Sequence, residues 1–170
     1  FNAFESFNYP ALCDAGINFN FHTHRILRPD FTRAMIPHTA TDANTIVLSI
    51  FPGIQENLLR HVIEAPELRS IVMRSYGSGN APQHPWLLQL LNEASKRGVV
   101  VVNISQCIAG SVEMERYDTG FQLKNAGVVS GYDSTVEAAL TKLMHLQALH
   151  RDSNLIRQLM NQSIAGEISV

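Results

Sequence analysis

The chain has 170 residues, of which 45% are hydrophobic and 16% are charged, so it can bury one sizeable core and carry a short additional segment. Its net charge of -2 and its lack of an apolar run of about 20 residues exclude nucleic acid and membrane as expected partners. Cys13 and Cys107 form neither a metal-ligand spacing nor a disulfide framework, which predicts a reducing compartment, the cytoplasm by default.

The first 43 residues follow no clean helical or strand period and are rich in Phe, Asn, His and Pro. By itself this segment would expose several large aromatic side chains, so we expect it to pack on another surface. The aromatic residues in question are Phe1, Phe4, Phe7 and Phe19.

From residue 44 onward, short apolar runs alternate with amphipathic stretches, which predicts a parallel sheet covered by helices. The first strand is predicted over residues 45–51, where Pro52 and Gly53 end it. A helix follows until Pro66 stops it. The apolar residues that recur at helical spacing in this helix are Ile54, Leu58, Leu59 and Val62.

Two further strands are predicted over residues 70–75 and 99–104. The later one is β-branched and apolar on both faces, as is typical of a central parallel strand with helices on either side. Between the two strands, Pro85 suits a first helical turn and Gly98 suits a C-terminal cap. The apolar stripe of that helix consists of Leu87, Leu90, Leu91 and Ala94.

A short helix is predicted over residues 118–126 and a brief fourth strand at residues 128–129. Ser134 and Glu137 then have the spacing of a capping box. In this motif the serine side chain caps one backbone N–H group and the glutamate reaches back to another. A long helix should therefore begin there and run to about His150.

Either Asp152 or Ser153 is predicted to cap a final helix over residues 155–162. The order of the elements, joined by right-handed crossovers, predicts an α/β fold. We expect a small flavodoxin-like or Rossmann-like three-layer domain with a four-stranded parallel sheet. Ligands of such sheets bind outside the carboxyl ends of the strands, so the residues there are the first candidates for a site.

A glycine-rich loop follows the second predicted strand. Gly77 and Gly79 allow a positive φ and, with Ser78 between them, leave backbone N–H groups and the Asn80 amide available to bind a carboxylate or an amide. A plain turn between strand and helix is the alternative. We expect this loop to face solvent.

Arg74 and Cys107 end the neighbouring second and third strands. A guanidinium group matches the two oxygens of a ligand carboxylate with two parallel donors, which makes Arg74 a candidate for anion binding. The alternative is a structural ion pair of Arg74 and a buried Cys107 that acts as a small hydrophobic residue. No motif places a histidine near Cys107, so a nucleophilic role is not expected.

His22 and His24 could face one side of a strand and, with His38, bind zinc. No cysteine or carboxylate completes a ligand set nearby. We therefore expect a mobile polar linker here and no metal site.

Four segments of the chain, taken in order, resemble the C-terminal domain of type I (cytoplasmic) L-asparaginases. The resemblance extends from about Pro10 to the C-terminus. Nothing here resembles the two threonine-bearing motifs, or the Asp-Lys pair, that carry the nucleophilic chemistry of this family in an N-terminal domain. The four segments are residues 74–82, 103–107, 127–142 and 163–168.

The resemblance implies that residues 1–43 are the end of an N-terminal domain with its linker and that residues 44–170 are the C-terminal α/β domain. It implies a hydrolase that converts L-asparagine to L-aspartate and ammonia without a cofactor, forms homodimers or homotetramers, and needs its own N-terminal domain. The chain alone is then expected to be inactive, because the threonine nucleophiles are absent.

The resemblance also implies roles for individual residues. The matching asparagine of the family reaches the active site of a neighbouring subunit, a role that would fall on Asn80. In bacterial type I enzymes the region of Arg74 and Cys107 is associated with an allosteric asparagine pocket. Secreted relatives place an acidic residue against the substrate amino group, but the local motif around Glu113 and Glu115 departs from theirs, so we expect solvated carboxylates.

Two alternative functions remain open at this point. One is the asparaginase-like subunit of an archaeal glutamyl-tRNA amidotransferase, which shares the fold and releases ammonia for a partner. The other is a free-standing ligand-sensing or receiver-like module. A receiver needs an acidic cluster around a phosphorylatable aspartate at the end of a strand, and no predicted strand ends in that way.

Overall fold

The computed structural model describes residues 5–32, 34–116 and 118–169. Its internal contacts divide the chain into two compact units, Phe1–Thr39 and Ala40–Val170. The division predicted at residue 43 concerned the domain to which each part belongs, and it stays a prediction. None of the helices in the described part of the chain is long and apolar enough to cross a membrane.

The smaller unit contains a short antiparallel hairpin that the sequence analysis did not predict. Strand β1 (Cys13–Ala15) pairs with β2 (Phe19–Phe21), and a 3-10 helix follows at Thr23–Arg25. Three-residue strands are too short to show a period, which explains why the pattern gave no signal. Phe7 and Phe19 are exposed within this unit, as expected, whereas Phe1 and Phe4 lie outside the described residues.

The larger unit alternates strands and helices as predicted, and its four strands are all parallel and adjacent in chain order. The predicted α/β fold with a four-stranded parallel sheet is therefore confirmed. Its elements are β3 (Thr45–Ser49), α1 (Glu56–Ile63), β4 (Ser70–Ser75), α2 (Pro85–Lys96), β5 (Val100–Ser105), α3 (Asp118–Asn125), β6 (Val128–Ser130), α4 (Val136–Leu149) and α5 (Ser153–Met160).

The sheet has an apolar layer on each face. Right-handed crossovers between strands that follow one another in chain order place α1, α2 and α3 on the same face, where they pack on alternate residues such as Met73 and Val101. Helices α4 and α5 cover the opposite face and pack on Val72, Val102 and Ile104. The period of two along each strand thus supplies both layers, which is why the central strands read as continuous apolar runs.

The buried face of α1 differs from the prediction. Leu59 and Ile63 are buried, whereas Leu58 is 71% exposed and Val62 is 45% exposed. The helix begins at Glu56, and the i, i+4 pair that faces the sheet is Leu59 with Ile63. Of the predicted stripe, Leu59 is therefore confirmed and Ile54 packs on the core, whereas Ile63 takes the buried position that was predicted for Val62.

The predicted role of Ser134 as the cap of α4 is wrong. The Thr135 hydroxyl accepts a hydrogen bond from the Ala138 N–H at 3.2 Å, whereas the buried Ser134 hydroxyl donates to the Gly131 carbonyl at 2.7 Å. Because the cap moves by one residue, Glu137 no longer occupies the position from which it could close a capping box. Of the two residues predicted to cap α5, Asp152 and Ser153, Asp152 is the cap.

The segment after α5 folds back onto α4 through a buried ion pair. Lys142 Nζ lies 2.5 Å from Glu167 Oε1, and their side chains are only 6% and 12% exposed. The Glu167 carboxylate also accepts hydrogen bonds from the backbone N–H groups of Ile164 and Ala165. This pair holds the end of the chain against the helical layer.

Candidate functional site

The carboxyl ends of β4 and β5 meet at one edge of the sheet, where the loops that follow them come together. We call residues 76–80 the Asn80 loop. Its ends are joined by two backbone hydrogen bonds, from the Tyr76 N–H to the Asn80 carbonyl at 2.7 Å and from the Asn80 N–H to the Tyr76 carbonyl at 2.9 Å. Gly77 and Gly79 have φ values of 49° and 109°, and the second of these is strained for any other residue.

Each carbonyl inside the Asn80 loop is bound by a residue from elsewhere in the chain. The Ser105 hydroxyl donates to the Gly77 carbonyl at 2.6 Å, and the buried Asn103 side chain donates to the Gly79 carbonyl at 3.0 Å. The Glu113 N–H donates to the Ser78 carbonyl at 3.0 Å. The loop is therefore fixed from both β5 and the segment after it.

The expectation that this loop faces solvent holds for Gly77 alone. Gly79 is buried, and a Cβ atom there would lie 2.7 Å from the Val112 side chain. Ser78 and Asn80 are half-buried. The packing of Val112 on the loop explains the difference, since the sequence gives no sign that the segment after β5 returns to this point.

The Asn80 carboxamide is held by one side only. Its Oδ1 accepts a hydrogen bond of 2.5 Å from the Thr119 hydroxyl, at the first turn of α3. Its Nδ2 has no acceptor among the described residues. Since Nδ2 is not among the buried polar atoms that lack a partner, it is accessible to solvent. The side chain thus presents an N–H donor to solvent, where a carboxylate or carbonyl oxygen could bind.

Arg74 lies in β4 next to this loop, and its guanidinium makes no hydrogen bond or ion pair with any described residue. Its Nε is buried without an acceptor. The structural ion pair considered as the alternative for this residue is therefore not found within the described chain. A buried N–H donor without a partner costs about 1–3 kcal/mol, so this atom of Arg74 does not contribute to the stability of the fold.

Cys107 follows β5 at the same edge of the sheet as Arg74. Its thiol is free and the residue is exposed, so it does not act as a buried hydrophobic side chain. The neighbouring Gln106 amide donates to the carbonyls of Ile50 and Arg74, at 2.5 and 2.9 Å. Gln106, directly after β5, therefore links the ends of β3 and β4 beside the candidate residues.

The side chains of the remaining candidates do not join this group, although the Glu113 backbone contacts the Asn80 loop. Glu113 and Glu115 are exposed and pair with Arg116 and Lys124, as expected for solvated carboxylates. The hydrogen bond from Lys124 lowers the pKa of Glu115.

His22 and His24 lie at and within the 3-10 helix, not on a strand, and the His22 ring contacts the Asp14 carboxylate at 2.9 Å. Within the described ranges, no three His, Cys, Asp or Glu side chains are grouped to hold a metal ion. The smaller unit contains a hairpin beside these histidines, and the expected mobility of this segment stays a prediction.

A separate cleft of about 770 Å³ runs along β6, between residues 111–116 and the end of α5. Its wall includes Arg157, whose guanidinium donates to the carbonyls of Ser95 and Val99 and to the Ser153 hydroxyl. Burial lowers the pKa of Arg157. These contacts tie α5 to the end of α2, so Arg157 has a structural role here.

Three residues that build the Asn80 loop were not singled out from the sequence. Asn103 and Ser105 interrupt an otherwise apolar strand, which is a detectable signal, because a polar side chain in a central strand needs a partner. Thr119 gave no comparable signal, since a threonine in the first turn of a helix is common.

The comparisons with known proteins agree with the fold. The sequence matches the family model described as "Glutaminase/Asparaginase C-terminal domain" over residues 44–160. L-asparaginase 1 of Escherichia coli (strain K12) is 43% identical over 172 residues, which cover 99% of this chain and 49% of that protein. The 60 kDa lysophospholipase of Homo sapiens is 34% identical over 170 residues, which cover 99% of this chain and 29% of that protein.

The crystal structure of L-asparaginase I from Vibrio cholerae O1 biovar eltor superimposes with a TM-score of 0.92. The two chains are 39% identical, and the match covers 100% of this chain and 51% of that one. The chain therefore spans about half the length of these two asparaginases.

Proposed function

The chain belongs to the glutaminase/asparaginase C-terminal domain family, and on that premise we propose that it is the C-terminal part of an L-asparaginase. The complete enzyme would hydrolyse the side-chain amide of L-asparagine to L-aspartate and ammonia. The observation that carries the proposal is the similarity to an L-asparaginase along almost the whole of this chain. The conformation of the Asn80 loop supports it.

In this proposal the chain supplies a substrate-site residue and not the nucleophile. A threonine of the N-terminal domain would attack the amide carbon, and water would then release the acyl-enzyme. Asn80 would reach the active site of a neighbouring subunit and donate a hydrogen bond from its Nδ2, the atom that has no acceptor within the described chain. No cofactor takes part.

We further propose that Arg74 and Cys107, with residues 77–79, border an effector pocket for L-asparagine. The support is the Arg74 guanidinium, which is left without a carboxylate partner among the described residues. A guanidinium group can bind both oxygens of the effector carboxylate at once. Activation would follow if the effector binds one of two conformational states of the enzyme more tightly than the other.

The partners in this proposal are the protein's own N-terminal domain and further copies of the protein, as a homodimer or homotetramer. Large apolar side chains on the Ala40–Val170 unit are exposed, which is typical of a surface covered in an assembly. They include Phe51, Leu58 and Val62. The two free cysteines are consistent with a cytoplasmic location.

Two other functions would use the same domain. A subunit of a glutamyl-tRNA amidotransferase would copurify with a partner subunit and pass ammonia to it. A lysophospholipase activity is suggested by the name of one relative. Both predict a product other than free ammonia from L-asparagine, so one set of assays separates the three.

The test compares two proteins, the 170-residue chain alone and the same chain joined to the residues that precede it in its gene. We expect ammonia release from L-asparagine by the longer protein and none above buffer by the chain alone. In the longer protein, Asn80→Ala should lower the rate roughly 10- to 1000-fold, as expected for the loss of one positioned polar group.

Three results would count against the proposal. One is ammonia release by the chain alone that a mutation in the chain abolishes. Another is fatty acid release from a lysophospholipid by a longer protein that does not hydrolyse L-asparagine. The third, unchanged kinetics in Asn80→Ala, would remove Asn80 from the site.

A further inference from the structure

We propose that Thr119 is a positioning residue for the asparaginase reaction: its hydroxyl holds the Asn80 carboxamide so that the NH2 group faces the substrate. The inference rests on the proposed function. It adds a second residue to the site and states which end of the Asn80 amide faces the substrate. Asn80 would then act as a hydrogen-bond donor, and it would recognise an oxygen atom.

The contact joins two parts of the chain that are 39 residues apart. The Thr119 hydroxyl donates to Asn80 Oδ1 at 2.5 Å, and both residues are half-buried. A threonine in the interior of a helix can donate to the carbonyl four residues earlier. Thr119 is in the first turn of α3, where no helical carbonyl is available, so its hydroxyl donates to Asn80 Oδ1 instead.

The position of Thr119 does not depend on Asn80. Gly120 is buried, and a Cβ atom at that residue would lie 2.4 Å from the Met114 carbonyl oxygen, so the first turn of α3 packs directly on the backbone at Met114. One residue earlier, the Glu113 N–H binds the Ser78 carbonyl of the Asn80 loop. The same segment thus fixes both partners of the hydrogen bond.

This arrangement decides which end of the Asn80 amide is available. Oδ1 is occupied by Thr119, and Nδ2 has no acceptor among the described residues. A rotation of the amide by 180° would let Nδ2 donate to Thr119 Oγ1 and turn Oδ1 to the substrate, which is the orientation that the Asn80→Asp variant below tests. In the observed orientation the available group is the N–H donor, which suits a carboxylate or carbonyl oxygen of the substrate.

The test uses the longer protein that hydrolyses L-asparagine. Thr119→Val removes the hydroxyl at nearly constant volume, and we expect kcat/KM to fall about 5- to 20-fold, the loss that one hydrogen bond accounts for. Thr119→Ser keeps the hydroxyl and should restore most of the activity. Thr141→Val is the matched control, because the Thr141 hydroxyl also makes a hydrogen bond but lies on the exposed face of α4.

Two further variants separate positioning from a role in folding. In the Asn80→Ala background, Thr119→Val should cause no additional loss, because the group that it positions is absent. Asn80→Asp keeps an oxygen for Thr119 but replaces the NH2 donor, so its loss should match that of Asn80→Ala. This variant tests the donor role even if Thr119→Val does not fold.

Three outcomes overturn the inference and leave the proposed function standing. In the first, Asn80→Ala is impaired while Thr119→Val matches the parent, and in the second, Asn80→Asp retains activity near that of the parent. An equal loss from Thr119→Val with and without Asn80 also overturns it, since Thr119 would then act through the fold. If the longer protein does not hydrolyse L-asparagine at all, the proposed function itself fails.

Discussion

Replacement of Glu167 by glutamine should destabilise the larger unit in a pH-dependent way. The Glu167 carboxylate pairs with Lys142 Nζ at 2.5 Å in a nearly buried position. Lys142 also donates to the carbonyl of Gln162. After Glu167→Gln the ammonium group would remain buried with neutral acceptors only, and a buried charge without its counter-charge is strongly unfavourable.

The size of the effect follows from the pKa of Glu167. Burial alone would raise this pKa, but the hydrogen bonds from Lys142 and from the backbone of Ala165 and Ile164 outweigh it and lower the pKa from 4.5 to about 2. At about 1.4 kcal/mol for each pKa unit, the interactions of the carboxylate contribute about 3 kcal/mol to folding at neutral pH. The folded-state pKa lies below the unfolded one, so this contribution is complete above pH 4.5 and is lost as the pH falls towards 2.

The assay is urea unfolding of the parent and of Glu167→Gln at pH 7, 4 and 3. We expect the variant to be less stable by about 2–4 kcal/mol at pH 7 and the difference to shrink with each step to lower pH. Glu115→Gln is the matched control. Glu115 lies at the same 2.5 Å from Lys124, but the two side chains are 78% and 54% exposed, so water and salt screen the pair. The urea midpoint of Glu115→Gln should therefore differ little from that of the parent.

The reasoning would be refuted by a Glu167→Gln variant as stable as the parent at pH 7. A stability difference that stays constant from pH 7 to pH 3 would also refute it, because the loss would then come from packing and not from the charge.

Two other predictions concern the candidate site. In the longer protein, L-asparagine should activate hydrolysis sigmoidally, and Arg74→Lys should weaken that response sharply, because lysine keeps the charge but loses the two parallel donors. Hyperbolic kinetics in the parent, together with an Arg74→Lys variant that has the same kinetics, would exclude the effector pocket. Gly79→Ala should destabilise the chain by about 1–3 kcal/mol in thermal unfolding, since the φ of Gly79 is 109° and the new Cβ would meet Val112. Gly77→Ala should reduce the free energy of unfolding by less, because the space around Gly77 is open, and equal effects of the two variants would contradict the packing argument.

The fold could be predicted from the sequence where burial on both faces leaves a strong pattern. Strands β4 and β5 and helix α2 were predicted to within about a residue, and the family is confirmed. The errors arose where two neighbouring residues are equally suited to one structural role. Ser134 and Thr135 can both cap a helix, and the Gly131 carbonyl, which binds Ser134, decides between them. Leu58 and Leu59 are equally apolar, and only the start of α1 decides which one is buried.

The candidate site was predictable in part, for a similar reason. The glycines and Asn80 stand out because their loop follows a buried strand. The partners that fix the loop are 24 to 39 residues away. Asn103 acts from β5 itself, whereas Glu113 and Thr119 act through the return of the segment after β5, which no local pattern encodes. Their roles appear only when the chain is folded.

The polar atoms that are buried without a partner show where this domain is not optimised for stability. Among the described residues these atoms are Arg74 Nε, Tyr76 Oη, Asn103 Oδ1, Gln147 Oε1 and Arg157 Nε.

The first three belong to residues at the carboxyl ends of β4 and β5, in or beside the Asn80 loop. Each such atom costs about 1–3 kcal/mol, and folding stability alone would favour a partner for it. Three unsatisfied atoms around one loop are what an edge of the sheet that binds a ligand would show, which agrees with the proposed function. It is the same edge at which Asn80 presents a donor and Arg74 lacks a counter-charge among the described residues, so the oxygen atoms of a ligand there would suit these donors, whereas the buried Asn103 Oδ1 is itself an acceptor.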